Sequence, residues 1–320
     1  MTATQMKHLW SLNGPKFLSE DTAHAYDVAG RDYVIYADGD ATQPFDFTGS
    51  YGFADCEIWR RLDATLMRLA ADGRRSITLL DAGCGPGTWL LRMVLRAKEL
   101  DFEAIDAYGF DISPAMITLA KAGATSINDP TIQVNFTVND ITAPLPFDAA
   151  KFDVSLCLYG VLNHLPVEMH GRVAAELSRV TRDTLFATVR TAGSQPTIYV
   201  DRLDRARAFH QDNDADWMEV DLVDGRHLGF TSHLFTSDGL RLLFQEHFAG
   251  TVMVGLDVFH SRFAANKHWN PPTLKDQEAF ESDLSELEHR YACSPHFIDR
   301  AAHILLVGER SHVRFSKTDK

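Results

Sequence analysis

The sequence predicts an α/β fold, doubly wound around a mostly parallel sheet. Three observations predict it. Residues 77–97 read as an apolar run, a glycine loop and an amphipathic helix. Strand-like runs recur at 104–110, 132–138, 152–158 and 184–189, separated by helical or loop stretches. An acid closes or follows each of the first three strands: Asp81, Asp111 and Asp140.

The first unit is the most informative. Ile77 to Leu80 form the buried strand, and Asp81-Ala82-Gly83-Cys84-Gly85-Pro86-Gly87 follows. Leu90, Val94 and Ala97 then share one helical face. Glycine adopts angles that other residues avoid and holds no side chain against a ligand. The loop delivers the chain to a helix N-terminus, where free N–H groups meet acceptor-rich groups. That is a nucleotide-type site at a strand end. The spacing is G-x-G-x-G rather than the dinucleotide G-x-G-x-x-G. Asp81 would repel a pyrophosphate and suits a ligand with a cationic end, an ammonium or a sulfonium.

The second strand ends at Asp111, 24 residues after Gly87. An acid about 20 residues on meets ribose hydroxyls in dinucleotide folds, and a carboxylate can accept both bonds of a diol. Ile112-Ser113-Pro114 then opens a helix, with Ser113 as N-cap, Pro114 at its first position and Gly123 suited to its end. Ile132, Val134, Phe136 and Val138 alternate in a third strand that reaches Asn139-Asp140-Ile141. Phe152 to Leu158 is apolar enough for a central fourth strand. It leads into Tyr159-Gly160-Val161-Leu162-Asn163-His164. A helix from about Val167 to Arg182 returns to a fifth strand, Thr184 to Val189, ending at Arg190.

The flanks are less regular. Tyr26 and Tyr33 share a face if residues 25–36 are helical, and Tyr36 follows. Cys56 to Ala71 is a helical face. Residues 201–216 are rich in Asp and Arg and read as a solvated helix and loop. Two strands, 217–223 and 227–235, are expected around an Asp224-Gly225 turn. Thr236 opens another helix, 251–259 and 304–308 read as strands, and 270–300 as helical around Leu284 and Leu287.

Composition bounds the function. The chain has 320 residues, 45% hydrophobic and 23% charged, with a net charge of −13. That charge disfavours a phosphate-backbone partner, so a nucleic acid is not expected and a small-molecule acceptor is. No run of about 18 apolar residues suggests a membrane span, and residues 1–20 do not read as a secretion signal. The four cysteines, Cys56, Cys84, Cys157 and Cys293, form no C-x-x-C pair. A reduced, cytoplasmic setting without structural zinc is expected. No H-x-x-x-H or carboxylate pair suggests another metal.

Residues 76 to about 190 resemble the class I S-adenosylmethionine (SAM) dependent methyltransferases, whose first motif is D-x-G-x-G-x-G. The resemblance implies a Rossmann-like sheet of seven strands and a SAM-binding domain over 76–310. Residues 1–75 and 191–250 match no named family, so the resemblance is silent there; an N-terminal helical lid over 1–75, a substrate-recognition insertion after strand 5 at about 191–235 and a tail over 311–320 are expected beside it. It assigns SAM to Asp81, Ala82, Gly83, Cys84, Gly85, Gly87, Asp111, Ile112, Met116, Asn139, Asp140, Ile141, Leu158 and Tyr159. Asp140 would receive the adenine amine while Ile141 packs on the ring. His164 follows the strand at the reaction edge and is the candidate general base; its alternative role is to bond the loop backbone. Tyr33, Tyr36, Arg190 and His233 are candidates for the substrate wall. The implied activity is methyl transfer to O, N or C of a small molecule by in-line displacement. An NAD-dependent dehydrogenase, an aminopropyltransferase and a non-catalytic SAM-binding protein share this kind of fold and are the alternatives.

Overall fold

The computed structural model describes residues 20–28, 44–45, 47, 51–193, 206–260 and 277–310. In chain order, helix α1 covers 20–28 and α2 Gly52–Ala71. The first βαβ units follow: β1 Ser76–Ala82, α3 Thr88–Glu99, β2 Ala104–Asp111, α4 Pro114–Ala124 and β3 Ile132–Val138. Next come β4 Phe152–Cys157, α5 Val167–Val180 and β5 Thr181–Arg190. Then come β6 Ala206–Asp212, β7 Trp217–Leu222, β8 His227–Thr231, α6 Ser237–Phe244, β9 Gly250–Leu256, α7 Gln277–Tyr291 and β10 His303–Glu309.

Seven strands form one sheet in the order β3-β2-β1-β4-β5-β10-β9. The first five run parallel, and β10 is antiparallel to both its neighbours. Alternation along the strands sends successive side chains to opposite faces, so each face has its own core. Leu79 packs with Leu62 and Leu66 of α2 and with Leu90 and Val94 of α3. Leu80 packs with Val173 and Leu177 of α5 and with Leu240 and Phe244 of α6. Coverage on both faces explains why every residue of β4 is buried, Asp153 and Ser155 included. The chain reverses direction between β1 and β4 in the sheet order, so the ends of β1, β2 and β4 open a crevice at the switch point.

Helix ends follow their caps. Ser113 Oγ accepts from Met116 N, and Pro114 stands at the first position of α4. Thr236 Oγ1 accepts from Gly239 N at the start of α6. α4 runs through Gly123 to Ala124, one residue past the expected end.

One expectation is corrected. Residues 206–212 form a strand rather than a helix, pairing with β7 in a three-stranded antiparallel sheet, β6-β7-β8. Polar side chains suit a strand in a thin sheet with solvated positions, and both Ala208 and His210 are exposed. Leu287 is exposed on α7 whereas Leu284 is buried. The Asp224-Gly225 turn does join β7 to β8. Tyr33, Tyr36 and the 311–320 tail lie outside the described residues.

Candidate active site

A cavity opens at the C-terminal ends of β1, β2 and β4, with about 1000 Å³ of empty space counting its mouth. It lies at the switch point, where the topology leaves room for a ligand.

The glycine loop forms its floor. Gly83 N and Cys84 N both donate to Phe110 O, at 2.8 and 2.9 Å, which folds the loop against the end of β2. Gly83 has φ +76, and a Cβ there would lie 2.3 Å from Val161 Cγ2. Only glycine lets the loop pass that close to the segment after β4. Gly87, at φ +82, is the N-cap of α3.

Three carboxylates stand round this floor. Asp81 is buried on β1, in register with Gly109 of β2 and Leu156 of β4. Asp111 Oδ2 accepts from Gly85 N and its Oδ1 from Ser113 N, both at 2.9 Å. Burial pushes its pKa up, and the N–H groups of Ser113, Gly85 and Ile112 pull it back. Burial pushes the Cys84 thiol well above its ordinary range, and the carboxylates of Asp81 and Asp111 add to that. The two acids therefore converge on one loop. Asp140 Oδ1 accepts from the backbone N and the hydroxyl of Thr142, each at 2.8 Å. The ends of β2 and β3 are joined by Asn139 N donating to Asp111 O at 3.0 Å.

His164 also lines the cavity, on a short 3-10 turn, Leu162–His164. Its Nδ1 is 2.8 Å from Thr231 O on β8, and its Nε2 is 3.0 Å from the Tyr26 hydroxyl on α1. Burial lowers its pKa to about 4, and the charge of Arg190 acts in the same direction. The ring is neutral at pH 7. Tyr159, at φ +53, leaves β4 beneath the cavity. Its phenol donates to Asp55 of α2, its backbone N donates to Thr188 Oγ1, and its ring stacks on Tyr51.

Of the residues expected to hold the cofactor, Asp81, Gly83, Cys84, Gly85, Asp111, Ile112, Asn139, Asp140, Ile141, Leu158 and Tyr159 line this cavity. Ala82, Gly87 and Met116 are not part of its lining. Ala82 and Met116 are buried in the core, and Gly87 packs against Phe136. His164 lines the cavity, whereas Arg190 and His233 do not. Arg190 is buried behind the wall, near enough to lower the pKa of both His164 and His303. His233 bonds Asp216 at 2.9 Å and packs against His170 and Phe235.

Several lining residues carry no motif: Thr22 and Tyr26 of α1, Trp89, Val161 and Leu165. Tyr26 could have been found from its place on the tyrosine face of the N-terminal segment. Asn163 is a further omission. Fully buried, it donates from Nδ2 to Arg190 O and His233 O, and its Oδ1 accepts from Arg190 N. It thereby ties the turn bearing His164 to β5 and to the chain after β8. Among the described residues no cluster of His, Cys, Asp and Glu is arranged to hold a metal ion, and no helix is long and apolar enough to cross a membrane.

The donor set fits an adenosyl amino acid. Carboxylates suit a diol and cationic ends, backbone N–H groups suit acceptors, and Ile112, Ile141 and Leu158 supply apolar surface. At Gly85 a Cβ would meet nothing within 4 Å, so the loop faces open space there.

Residues 79–184 match the family model described as a methyltransferase domain. No curated protein matches the chain. Among solved structures, it is similar to a SAM-dependent methyltransferase from Methanosarcina mazei, at 15% identity and TM-score 0.45, covering 74% of this chain and 93% of that one. It is also similar to magnesium protoporphyrin IX methyltransferase from Synechocystis, solved with bound S-adenosylhomocysteine (SAH), at 18% identity and TM-score 0.43, covering 88% and 98%. A third, a SAM-dependent methyltransferase from Clostridium acetobutylicum, is 12% identical with TM-score 0.46, covering 91% and 99%. Overlaps this loose say nothing of a shared acceptor, and the assignment stands on the family match and on the acids and glycines of the cavity. Residues 79–184 are accordingly a methyltransferase domain, and the cavity at their strand ends fits SAM as its cofactor.

Proposed function

We propose that the chain methylates O, N or C of a small molecule by in-line displacement, with His164 as general base where the acceptor must lose a proton. One observation carries this reading: a neutral imidazole lines the same cavity as the carboxylates and the glycine loop. When bound, SAM supplies a methyl group on a sulfonium centre, which is already a good leaving group. The protein then has to align the acceptor and exclude water.

In this reading Asp111 holds the ribose hydroxyls, and Asp140 with Asn139, Ile112 and Ile141 holds the adenine. Asp81 and the Gly83-Cys84-Gly85 turn take the amino-acid end, and Leu158 and Tyr159 lie beneath it. Met116, Ala82 and Gly87 support the loop from behind. Helix α1 and His164 form the acceptor side, with Thr231 of β8, Arg190 and His233 behind that wall. Tyr33 and Tyr36 follow α1 in the sequence and are proposed as further contacts of the acceptor. A cavity of this size, walled by the protein's own elements, favours a small molecule over a polymer. The net charge of −13 argues against nucleic acid. Four cysteines, all free, are in keeping with a reduced cytoplasmic setting.

The test is isothermal titration with SAH, SAM and NAD, followed by transfer of radiolabelled methyl from SAM to a panel of phenols, amines and enols. Binding of SAH with methyl transfer to one class is expected. Binding of NAD alone would reject the reading, and so would aminopropyl transfer from the decarboxylated analogue of SAM.

A further inference from the structure

Ser113 is fully buried and donates to two carboxylates on different elements. Its backbone N–H goes to Asp111 Oδ1 at 2.9 Å, and its hydroxyl goes to Asp27 Oδ1 on α1. Ser113 Oγ also accepts the cap bond of α4 from Met116 N at 3.1 Å, so the hydroxyl is held from both sides. Asp27 takes a second bond from Ala115 N at 3.2 Å. An acid at the start of a helix meets the positive end of its dipole, which favours it there. Docking α1 on α4 therefore joins a further acid to Asp111 through one residue.

The charges at this corner are of one sign. Asp81, Asp111 and Asp140 line the cavity, and no Lys or Arg is among its lining residues. Asp27 is outside that lining, yet its charge is felt there. Burial is the main cause of the raised Asp111 carboxyl, and the Asp27 charge adds to it. Like charges brought together weigh against the docked helix, and a positive charge in the cavity offsets them.

We infer that Asp27, seated on α4, is a specificity residue for the cofactor whose charge favours the cationic methyl donor over its neutral product. The inference rests on SAM being the cofactor of the proposed reaction. SAM carries one more positive charge than SAH, because the sulfonium becomes a thioether when the methyl leaves. Adenine, ribose and amino acid are the same in both. Hydrogen bonds to those shared groups do not tell the two ligands apart, whereas a nearby carboxylate does. The effect is modest, because Asp27 is exposed and solvent screens it. By linkage the ligand also acts on the helix: SAM holds α1 more firmly than SAH does, and the seat loosens once the methyl has gone.

Isothermal titration of the full chain with SAM, SAH and sinefungin tests this without turnover. Sinefungin has an amine-bearing carbon in place of the sulfonium, so it keeps the positive charge and has no methyl to transfer. Asp27→Asn keeps an acceptor for both bonds and drops the charge. At about 0.01 M salt, where screening is weak, that variant is expected to lose about threefold of the preference for SAM over SAH, with SAH affinity held within about twofold. Sinefungin should follow SAM. At about 1 M salt the difference between the two proteins should vanish. Glu20→Gln removes an equal charge from another exposed position on α1 and should leave the preference as it was. An unaltered preference in Asp27→Asn overturns the inference, and a loss that persists at high salt does so too. An equal loss in Glu20→Gln would make the effect one of net charge, and sinefungin following SAH would make it one of the methyl group; either overturns it. If neither SAM nor SAH binds, the proposed function falls and this inference with it. If both bind and the Asp27→Asn ratio is that of the unaltered protein, this inference alone falls.

Discussion

Gly85 donates its backbone N–H to Oδ2 of Asp111 at 2.9 Å, which ties the glycine loop to a carboxylate 26 residues further on. The other oxygen holds Ser113 N. A carboxylate has about four acceptor sites, so each oxygen retains capacity after these bonds. That is the arrangement a diol needs. Asp111→Ala is expected to weaken SAH binding by about 1–3 kcal/mol, the cost of leaving buried hydroxyls unpaired. Isothermal titration reads this directly, and an unchanged affinity would remove the ribose role from Asp111.

Gly83 is held by sterics as well as by its φ of +76. A methyl group there would strike Val161 at 2.3 Å while forcing a left-handed alanine. Gly83→Ala is expected to lower stability by about 2–4 kcal/mol, the sum of backbone strain and overpacking, and to lower SAH affinity. Pairing it with Val161→Ala should recover the packing share and leave the backbone share. Thermal melts of the single and double variants separate the two. A Gly83→Ala melt equal to that of the unaltered protein would contradict this geometry.

What could be read from the sequence was what local periodicity encodes. The strand tips carrying Asp81, Asp111 and Asp140 followed from apolar runs and a glycine loop, and the caps Ser113 and Thr236 from helix chemistry. The cavity's other side could not be read this way. Tyr26 meets His164 across 138 residues of sequence, and Tyr159 meets Asp55 across 104. No spacing rule spans such separations. Asn163 sits in an apolar stretch where one amide has no pattern to stand out from, yet it ties three segments together. The strand Ala206–Asp212 escaped notice because its Asp and Arg residues mimic a solvated helix.

Stability is expected to have two opposed responses to pH. Burial and the charges of Glu288 and Asp55 raise the Asp257 carboxyl to about 8. The folded state then binds more protons than the unfolded chain between about pH 4 and 8, and stability falls as pH rises through that window. His164 and His303, lowered to about 4 and about 3 chiefly by burial, act the other way. For them the folded state binds fewer protons, so their contribution rises with pH up to about 6.5 and is flat above it. Only the Asp257 response remains between pH 6.5 and 8. It amounts to a fall of about 1–2 kcal/mol. Asp257→Asn should abolish that slope without backbone strain, because asparagine tolerates the φ of +59 found there. Melting temperatures of both proteins across this range decide it, and parallel curves would show that Asp257 is ionised in the fold.

Asp27 is not part of the cavity lining, yet it bonds the start of α4 from the helix that presents Tyr26. Removing its acceptor should loosen the seat of α1 by about 0.5–1.5 kcal/mol, the net worth of a hydrogen bond. Asp27→Ala is therefore expected to lower kcat about threefold to tenfold. SAH affinity should hold within about twofold, because Asp111 keeps its bonds to Gly85 N and Ser113 N and loses only the repulsion of the Asp27 charge, which raises its carboxyl. Asp27→Asn keeps an oxygen that can accept from Ser113 Oγ and Ala115 N, and should restore most of the rate. The comparison is steady-state kcat and KM for the acceptor found in the panel, beside SAH titration of each variant. If Asp27→Asn were as slow as Asp27→Ala, the negative charge rather than the hydrogen bond would be what seats the helix. If neither variant were slowed, α1 would be held by its apolar contacts alone, and the link from α4 to Tyr26 would be mechanically idle.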